Sequence, residues 1–142
     1  MSASDLKSLV VDAFPLSKTR ATLWQAFDKF IQELKAADLH CDVWLDGSFL
    51  TKKIDPDDVD FVLDFPVSVL DAVDITQAAL VNKISKQGFK TQKLHSFVIY
   101  SAPVIDLRHA ESLHLHNQWE RDFGFSYVKK EPKGIAVMEV SP

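Results

Sequence analysis

The sequence predicts a single α/β (α+β) domain in which a small mixed sheet is flanked by helices. Three observations predict this class. Segments with apolar residues at helical spacing alternate with short apolar runs that are typical of strands. The length of 142 residues is that of one domain. The composition, 46% hydrophobic and 25% charged, is ordinary for a globular protein with a substantial core.

Two helices are predicted before the first strand. Residues Ser4 to Phe14 form the first, which Pro15 ends. Ser17 is a suitable N-cap for the second, Lys18 to Ala37. The apolar residues that recur at helical spacing along its buried face are Leu23, Phe27, Phe30, Ile31 and Leu34.

The middle of the chain is predicted to hold two strands separated by a turn. The first strand is Cys41 to Leu45, and a short helix or turn follows from Ser48 to Lys52. Pro56 fits the chemistry of the loop at Ile54 to Asp57. The second strand is Asp58 to Phe65.

The second half is predicted to alternate helices with short extended runs, and residues from about 125 form a C-terminal tail. Gly88 ends the first of these helices and Gly124 ends the last. The two short strands in between are expected to pair as a hairpin. The predicted elements are a helix at Asp74–Lys86, strands at Lys90–Lys93 and Ser96–Ser101, an extended run at Val104–Leu107, a helix at Ala110–Asp122 and a final apolar alternation at Ile135, Val137 and Val140.

The charge balance and the cysteine count limit the function classes. A net charge of −4 argues against a broad nucleic-acid-binding surface, although it leaves room for a small nucleotide whose charge a metal neutralises. The one cysteine, Cys41, cannot form an internal disulfide, so a cytoplasmic protein is expected. The sequence has no long apolar span and its first residues do not have the pattern of a signal peptide, so we expect no membrane contact.

The motif that carries most chemical information joins Gly47-Ser48 to two aspartates. Alternation on a strand sends the side chains of Asp58 and Asp60 to the same face. Adjacent carboxylates repel one another and suit a hard divalent cation, while a Gly-Ser turn offers N–H groups to a phosphate. The simpler alternative is a solvated strand face or an aspartate that caps the loop.

This pattern resembles the signature of the DNA polymerase beta-like nucleotidyltransferase superfamily. The resemblance implies a minimal nucleotidyltransferase core in which Asp58 and Asp60 bind Mg²⁺ or Mn²⁺ and Gly47-Ser48 contacts the nucleotide phosphates. It also implies a third carboxylate from a later strand. Two further segments are similar to those of small, uncharacterised nucleotidyltransferase-like proteins, and these are the strand Val43 to Ser48 and the C-terminal part with Trp119, Phe123-Gly124 and Pro132-Lys133-Gly134-Ile135.

Asp106 is the candidate for the third carboxylate, because it lies within the apolar run Val104 to Leu107. A charge in such a run needs a partner, which is either the metal, Arg108 or a backbone turn. The predicted catalytic and metal-binding residues are therefore Asp58, Asp60 and Asp106.

Gly47, Ser48, Lys52 and Lys133 are the candidates for phosphate contacts. Ser48 can equally cap a helix, and lysines in loops are often only solvated. The histidines of the second half lack the spacing of a zinc site, and we interpret them as surface residues.

The function implied by the resemblance is transfer of a nucleoside monophosphate from an NTP to a protein or RNA acceptor, with two Mg²⁺ ions. Small members of the superfamily often act beside a partner protein in toxin–antitoxin or defence modules. The alternative is a non-catalytic protein that keeps the fold and binds a nucleotide or a partner.

Overall fold

The computed structural model describes residues 1–123 and 135–141, and for Ser48 and Phe123 it describes the backbone only. Within these residues a four-stranded sheet has the order β3-β2-β1-β4. β1 is antiparallel to both β2 and β4, whereas β2 and β3 are parallel. The predicted small mixed sheet flanked by helices is therefore confirmed. The strands are β1 Cys41–Asp46, β2 Val59–Pro66, β3 Leu94–Ser101 and β4 Ala136–Val140.

Five α-helices lie among the described residues, together with one π-helical segment and two 3₁₀ turns. The helices are α1 Ala3–Lys7, α2 Arg20–Ala36, α3 Val67–Asp71, α4 Ile75–Ser85 and α5 His109–Phe123. The turns are a π-helical segment at Ser8–Asp12 and 3₁₀ turns at Gly47–Leu50 and Lys90–Gln92. The single N-terminal helix predicted from Ser4 to Phe14 is thus an α-helix that continues as a π-helical segment.

Local capping explains where the helices begin and end. Ser17 lies outside α2, but its hydroxyl oxygen accepts a hydrogen bond from the N–H of Arg20 at 3.1 Å. Asp74 and Gln77 form a reciprocal capping box at the start of α4. The N–H of Gly88 binds the carbonyl of Lys83 at 2.8 Å, which ends this helix as predicted.

The sheet buries its two faces against different helices. On one face the Phe61 ring lies between those of Phe27 and Phe30 of α2, at centroid distances of 5.4 and 5.0 Å. On the other face α5 covers Trp44, Val62 and Ile99. Because side chains alternate along β2, Asp60 and Asp64 lie on the α5 face with Val62. In β4 the buried residues are Ala136, Met138 and Val140, rather than Val137.

The predicted hairpin of Lys90–Lys93 with Ser96–Ser101 is wrong. Lys90 to Gln92 form a 3₁₀ turn, and Lys93 has a left-handed backbone with φ of 62°. The segment has no apolar side chain to bury in a sheet. The following strand, β3, instead pairs in parallel with β2.

The predicted extended run from Val104 to Leu107 is also wrong. The segment is a turn, with a hydrogen bond from the N–H of Asp106 to the carbonyl of Pro103 at 2.9 Å. Its apolar side chains are exposed, 95% for Ile105 and 102% for Leu107, so they add nothing to a sheet core.

The helices in the described part of the chain are all too short or too polar to cross a membrane.

Candidate functional site

Asp58, Asp60 and His95 come together where β2 and β3 begin. In the parallel pairing Asp60 lies directly opposite His95, so both side chains project from the same face. His95 Nδ1 lies 3.1 Å from Asp60 Oδ1 and 3.6 Å from Asp58 Oδ2. One possible ligand atom from each of the three residues lies within 4.8 Å of the other two. The predicted strand from Asp58 begins one residue later, at Val59, but the carboxylates of Asp58 and Asp60 lie together, and metal binding there stays a prediction.

Gly47 closes this site on the side of β1. It follows Asp46, which pairs with Asp60 across the antiparallel strands. Its backbone is left-handed, with φ of +76°, and a Cβ atom at this position would lie 2.5 Å from Asp60 Oδ2. Only glycine therefore lets the turn pass so close to the Asp60 carboxylate without strain.

The electrostatics of the site favour a bound cation. Burial raises the pKa of Asp60 above its usual value, and the charges of Asp58 and Asp46 raise it further, while His95 opposes the shift. The site thus concentrates negative charge around one partly buried carboxyl, and a cation there would relieve the repulsion. Asp58, Asp60 and His95 keep side-chain exposures of 30%, 30% and 33%, so solvent ions have access.

Arg20 fixes the loop that follows Gly47. Its side chain is fully buried, and the guanidinium donates hydrogen bonds to the carbonyls of Phe49, Thr51 and Lys53 at 2.6, 2.8 and 2.6 Å. A fourth bond reaches the carbonyl of Val10 at 2.8 Å. Three carbonyl groups of the loop are thereby bound to the single guanidinium of Arg20. Sequence reasoning missed this role because Arg20 is charged, although it lies three residues before Leu23 and seven before Phe27, in line with the buried face of α2.

Asp106 is not part of this site. Its carboxylate accepts hydrogen bonds from the backbone N–H and the guanidinium of Arg108, which also binds Asp71 after the end of β2. These bonds lower the pKa of Asp106 to about 2. His95 and Ser101 stand six residues apart on β3, roughly 20 Å along the strand, and Asp106 follows Ser101. The structure therefore places Asp106 at the opposite end of the sheet from Asp60, where it serves as the partner of Arg108.

A second polar cluster lies on the α5 face. Asp64 accepts a hydrogen bond from Ser101 Oγ at 2.8 Å and contacts His116 Nε2 at 2.7 Å. The other ring nitrogen of His116 lies 2.6 Å from the carbonyl of Ser112. Both partners of the ring are acceptors, an arrangement that favours the doubly protonated imidazole. Burial alone would lower the pKa of His116, but its bonds to Ser112 and Asp64 outweigh burial and raise it.

These contacts correct the prediction that the histidines are simple surface residues. His95 and His116 are partly buried and bind carboxylates. Asp64 shares the face of Asp60 but is engaged by His116, so it belongs to a separate cluster.

The remaining predicted phosphate ligands lie in the turn and loop after Gly47 or outside the described residues. Lys52 is exposed in the loop after the Gly47–Leu50 turn. The backbone of Ser48 lies in that turn, while its side chain falls outside the description. Lys133 falls within residues 124–134, which also lie outside it. The phosphate contacts of these residues stay predictions.

Comparison with known proteins gives a family without an assigned activity. No curated protein and no solved structure matches the chain. The model of a family of unknown function, DUF6932, matches residues 1–139. Since this match spans nearly the whole sequence, the protein belongs to the DUF6932 family.

Proposed function

We propose that this protein is a metal-dependent nucleotidyltransferase that moves a nucleoside monophosphate from an NTP to a protein or RNA acceptor. The observation that carries the proposal is the convergence of Asp58 and Asp60 beside the Gly47 turn. The donor set fits a divalent ion, because two carboxylates offer the oxygen ligands that Mg²⁺ and Mn²⁺ prefer. Because Gly47 has no Cβ, the turn can lie directly against the Asp60 carboxylate.

Each group at the site has a role in this chemistry. A divalent ion held there would lower the pKa of the attacking hydroxyl and neutralise charge on the pyrophosphate that leaves. Asp58 and Asp60 would hold it. The Gly47–Leu50 turn would meet the phosphates with its backbone N–H groups, and Arg20 keeps the loop after it in one conformation.

A cavity next to the turn supports a nucleotide as the ligand. It has a volume of about 200 Å³ and is bordered by Gly47. Its other lining residues are mostly apolar, and they are Met1, Leu9, Leu50, Thr51, Ile135 and Ala136. An apolar wall beside a charged site suits the sugar or base of a nucleotide whose phosphates lie at the turn.

The test is transfer of label from each α-³²P-labelled NTP, with Mg²⁺ or Mn²⁺, to total RNA, to protein and to the enzyme itself. We expect metal-dependent labelling that Asp58→Asn and Asp60→Asn abolish. Asp106→Asn is the matched control, because it makes the same chemical change at the opposite end of the sheet and should leave labelling intact. Equal labelling by wild type and the Asp60→Asn variant would refute the proposal.

One observation favours the alternative, a non-catalytic protein that binds a nucleotide or a partner. Only two of the three predicted carboxylates converge, since Asp106 is bound to Arg108 elsewhere. Equilibrium dialysis with the same labelled NTPs separates the two functions. Metal-dependent binding without any transfer would support the non-catalytic protein.

A further inference from the structure

We infer that His95 is the third protein ligand of the metal site and that the site selects a first-row transition-metal ion such as Mn²⁺ over Mg²⁺. This inference rests on the metal site of the proposed function, and it adds the identity of the third donor and the class of ion. The inference depends on side chains that the fold brings together although they are distant in the sequence. Asp60 and His95 are 35 positions apart.

The strand register places His95 where a third ligand is needed. β2 and β3 are parallel neighbours, and Asp60 and His95 are partners in the pairing. Their side chains therefore leave the sheet side by side, at the end where Asp58 precedes β2. Nδ1, the ring nitrogen that faces the carboxylates, contacts both of them.

The distances fit ligands of one ion. Two donors at right angles, each about 2.1 Å from an octahedral ion, lie about 3 Å apart. His95 Nδ1 lies 3.1 Å from Asp60 Oδ1 and 3.6 Å from Asp58 Oδ2. A cation bound among these atoms would therefore take the place of the direct contact between Nδ1 and the Asp60 carboxylate. The three groups would occupy one side of the ion and leave its other positions to water or a ligand.

The donor chemistry decides the class of ion. Mg²⁺ prefers oxygen ligands and keeps its waters, so an imidazole adds little to its binding. Imidazole strengthens the binding of first-row transition ions, and carboxylates keep Mn²⁺ among the ions the site accepts. Two carboxylates and one neutral imidazole also carry a charge of −2, which balances one divalent ion.

The test compares Mn²⁺ and Mg²⁺ binding to wild type and to His95→Asp, without nucleotide. Isothermal titration with MnCl₂, followed by displacement with MgCl₂, gives the ratio of the two affinities. We expect this ratio to fall at least about tenfold in His95→Asp, which replaces the nitrogen donor by an oxygen donor. Pulsed electron paramagnetic resonance of bound Mn²⁺ should show a directly coordinated nitrogen in wild type and none in the variant.

His40→Asp is the matched control. His40 Nε2 also lies near a carboxylate, 3.6 Å from Asp38, but it precedes β1 at the far end of that strand from Gly47. This variant should keep the wild-type ratio and the nitrogen signal. A folded wild type that binds Mn²⁺ without a nitrogen ligand, or an unchanged ratio in His95→Asp, would overturn the inference and leave the proposed function standing. Failure of wild type to bind either ion would overturn both.

Discussion

Gly47→Ala should damage the site and the stability together. The new Cβ would lie 2.5 Å from Asp60 Oδ2, about 0.9 Å inside the 3.4 Å at which ordinary contact begins. Because the turn is held in place by the end of β1, the Asp60 carboxylate rather than the turn must move by most of this distance. A displacement of about 1 Å in a pre-organised site costs up to roughly a hundredfold in function. We expect Mn²⁺ affinity to fall at least about tenfold.

The backbone adds a cost in stability that does not depend on metal. Gly47 has φ of +76°, and a left-handed conformation costs a residue with a Cβ about 1–2 kcal/mol. For a chain of this size the melting temperature should fall by roughly 2–8 °C. Thermal melts without metal measure this cost, and titration with MnCl₂ measures the affinity.

Gly88→Ala is the control for general destabilisation. A Cβ there would also be crowded, but the atoms nearest to it all belong to Lys83 of α4, which Gly88 ends, rather than to a carboxylate. It should lower the melting temperature and leave Mn²⁺ affinity unchanged. A Gly47→Ala protein that melts and binds Mn²⁺ like wild type would refute the reasoning.

Four further predictions test other parts of the structure. The folded-state pKa of Asp60 is raised, so the ionisation of this carboxyl lowers the stability of the fold as the pH rises through its titration. Without metal at neutral pH, Asp60→Asn should therefore melt at a higher temperature than wild type. A lower melting temperature would contradict this. Arg20→Lys offers three donors to four carbonyls, so urea unfolding should show a loss of at least about 1–3 kcal/mol; a loss within error would show that the loop does not depend on the guanidinium. The bonds of His116 to Ser112 and Asp64 raise its pKa above the ordinary value of 6.5, so the stability that the charged ring contributes is fully present below pH 6.5 and is lost as the pH rises through the folded-state pKa. Urea titrations should therefore show the stability gap between wild type and His116→Gln narrowing as the pH rises above 6.5, and a constant gap would speak against the ion pair. Asp106→Ala should leave Mn²⁺ affinity unchanged in calorimetry, because its carboxylate lies at the other end of the sheet, and lost binding would reverse this assignment.

The features that the sequence predicted correctly depend on neighbours along the chain. Helical spacing placed Phe27 and Phe30 on the buried face of α2, and both are buried against Phe61. Strand alternation alone put Asp58 and Asp60 on a common face. Both patterns repeat within a few residues, so no knowledge of the tertiary structure is needed.

The features that sequence reasoning missed depend on pairing between distant segments. Asp106 and His95 each lie in or beside an apolar run in the second half of the chain. The sequence alone does not show which of these runs pairs with β2. The parallel register of β3 puts His95 opposite Asp60 and carries Asp106 past the far end of the sheet. Arg108 then binds Asp106 within the turn, at a spacing that also fitted an extended run.

The most direct test of the account is a crystal structure with Mn²⁺ and an NTP analogue that cannot be cleaved between the α and β phosphates. The anomalous signal of manganese locates the ion independently of the protein atoms. The account predicts a peak about 2.0–2.3 Å from carboxylate oxygens of Asp58 and Asp60, with the triphosphate against the Gly47 turn. A manganese peak elsewhere, or a triphosphate bound away from this turn, would contradict it.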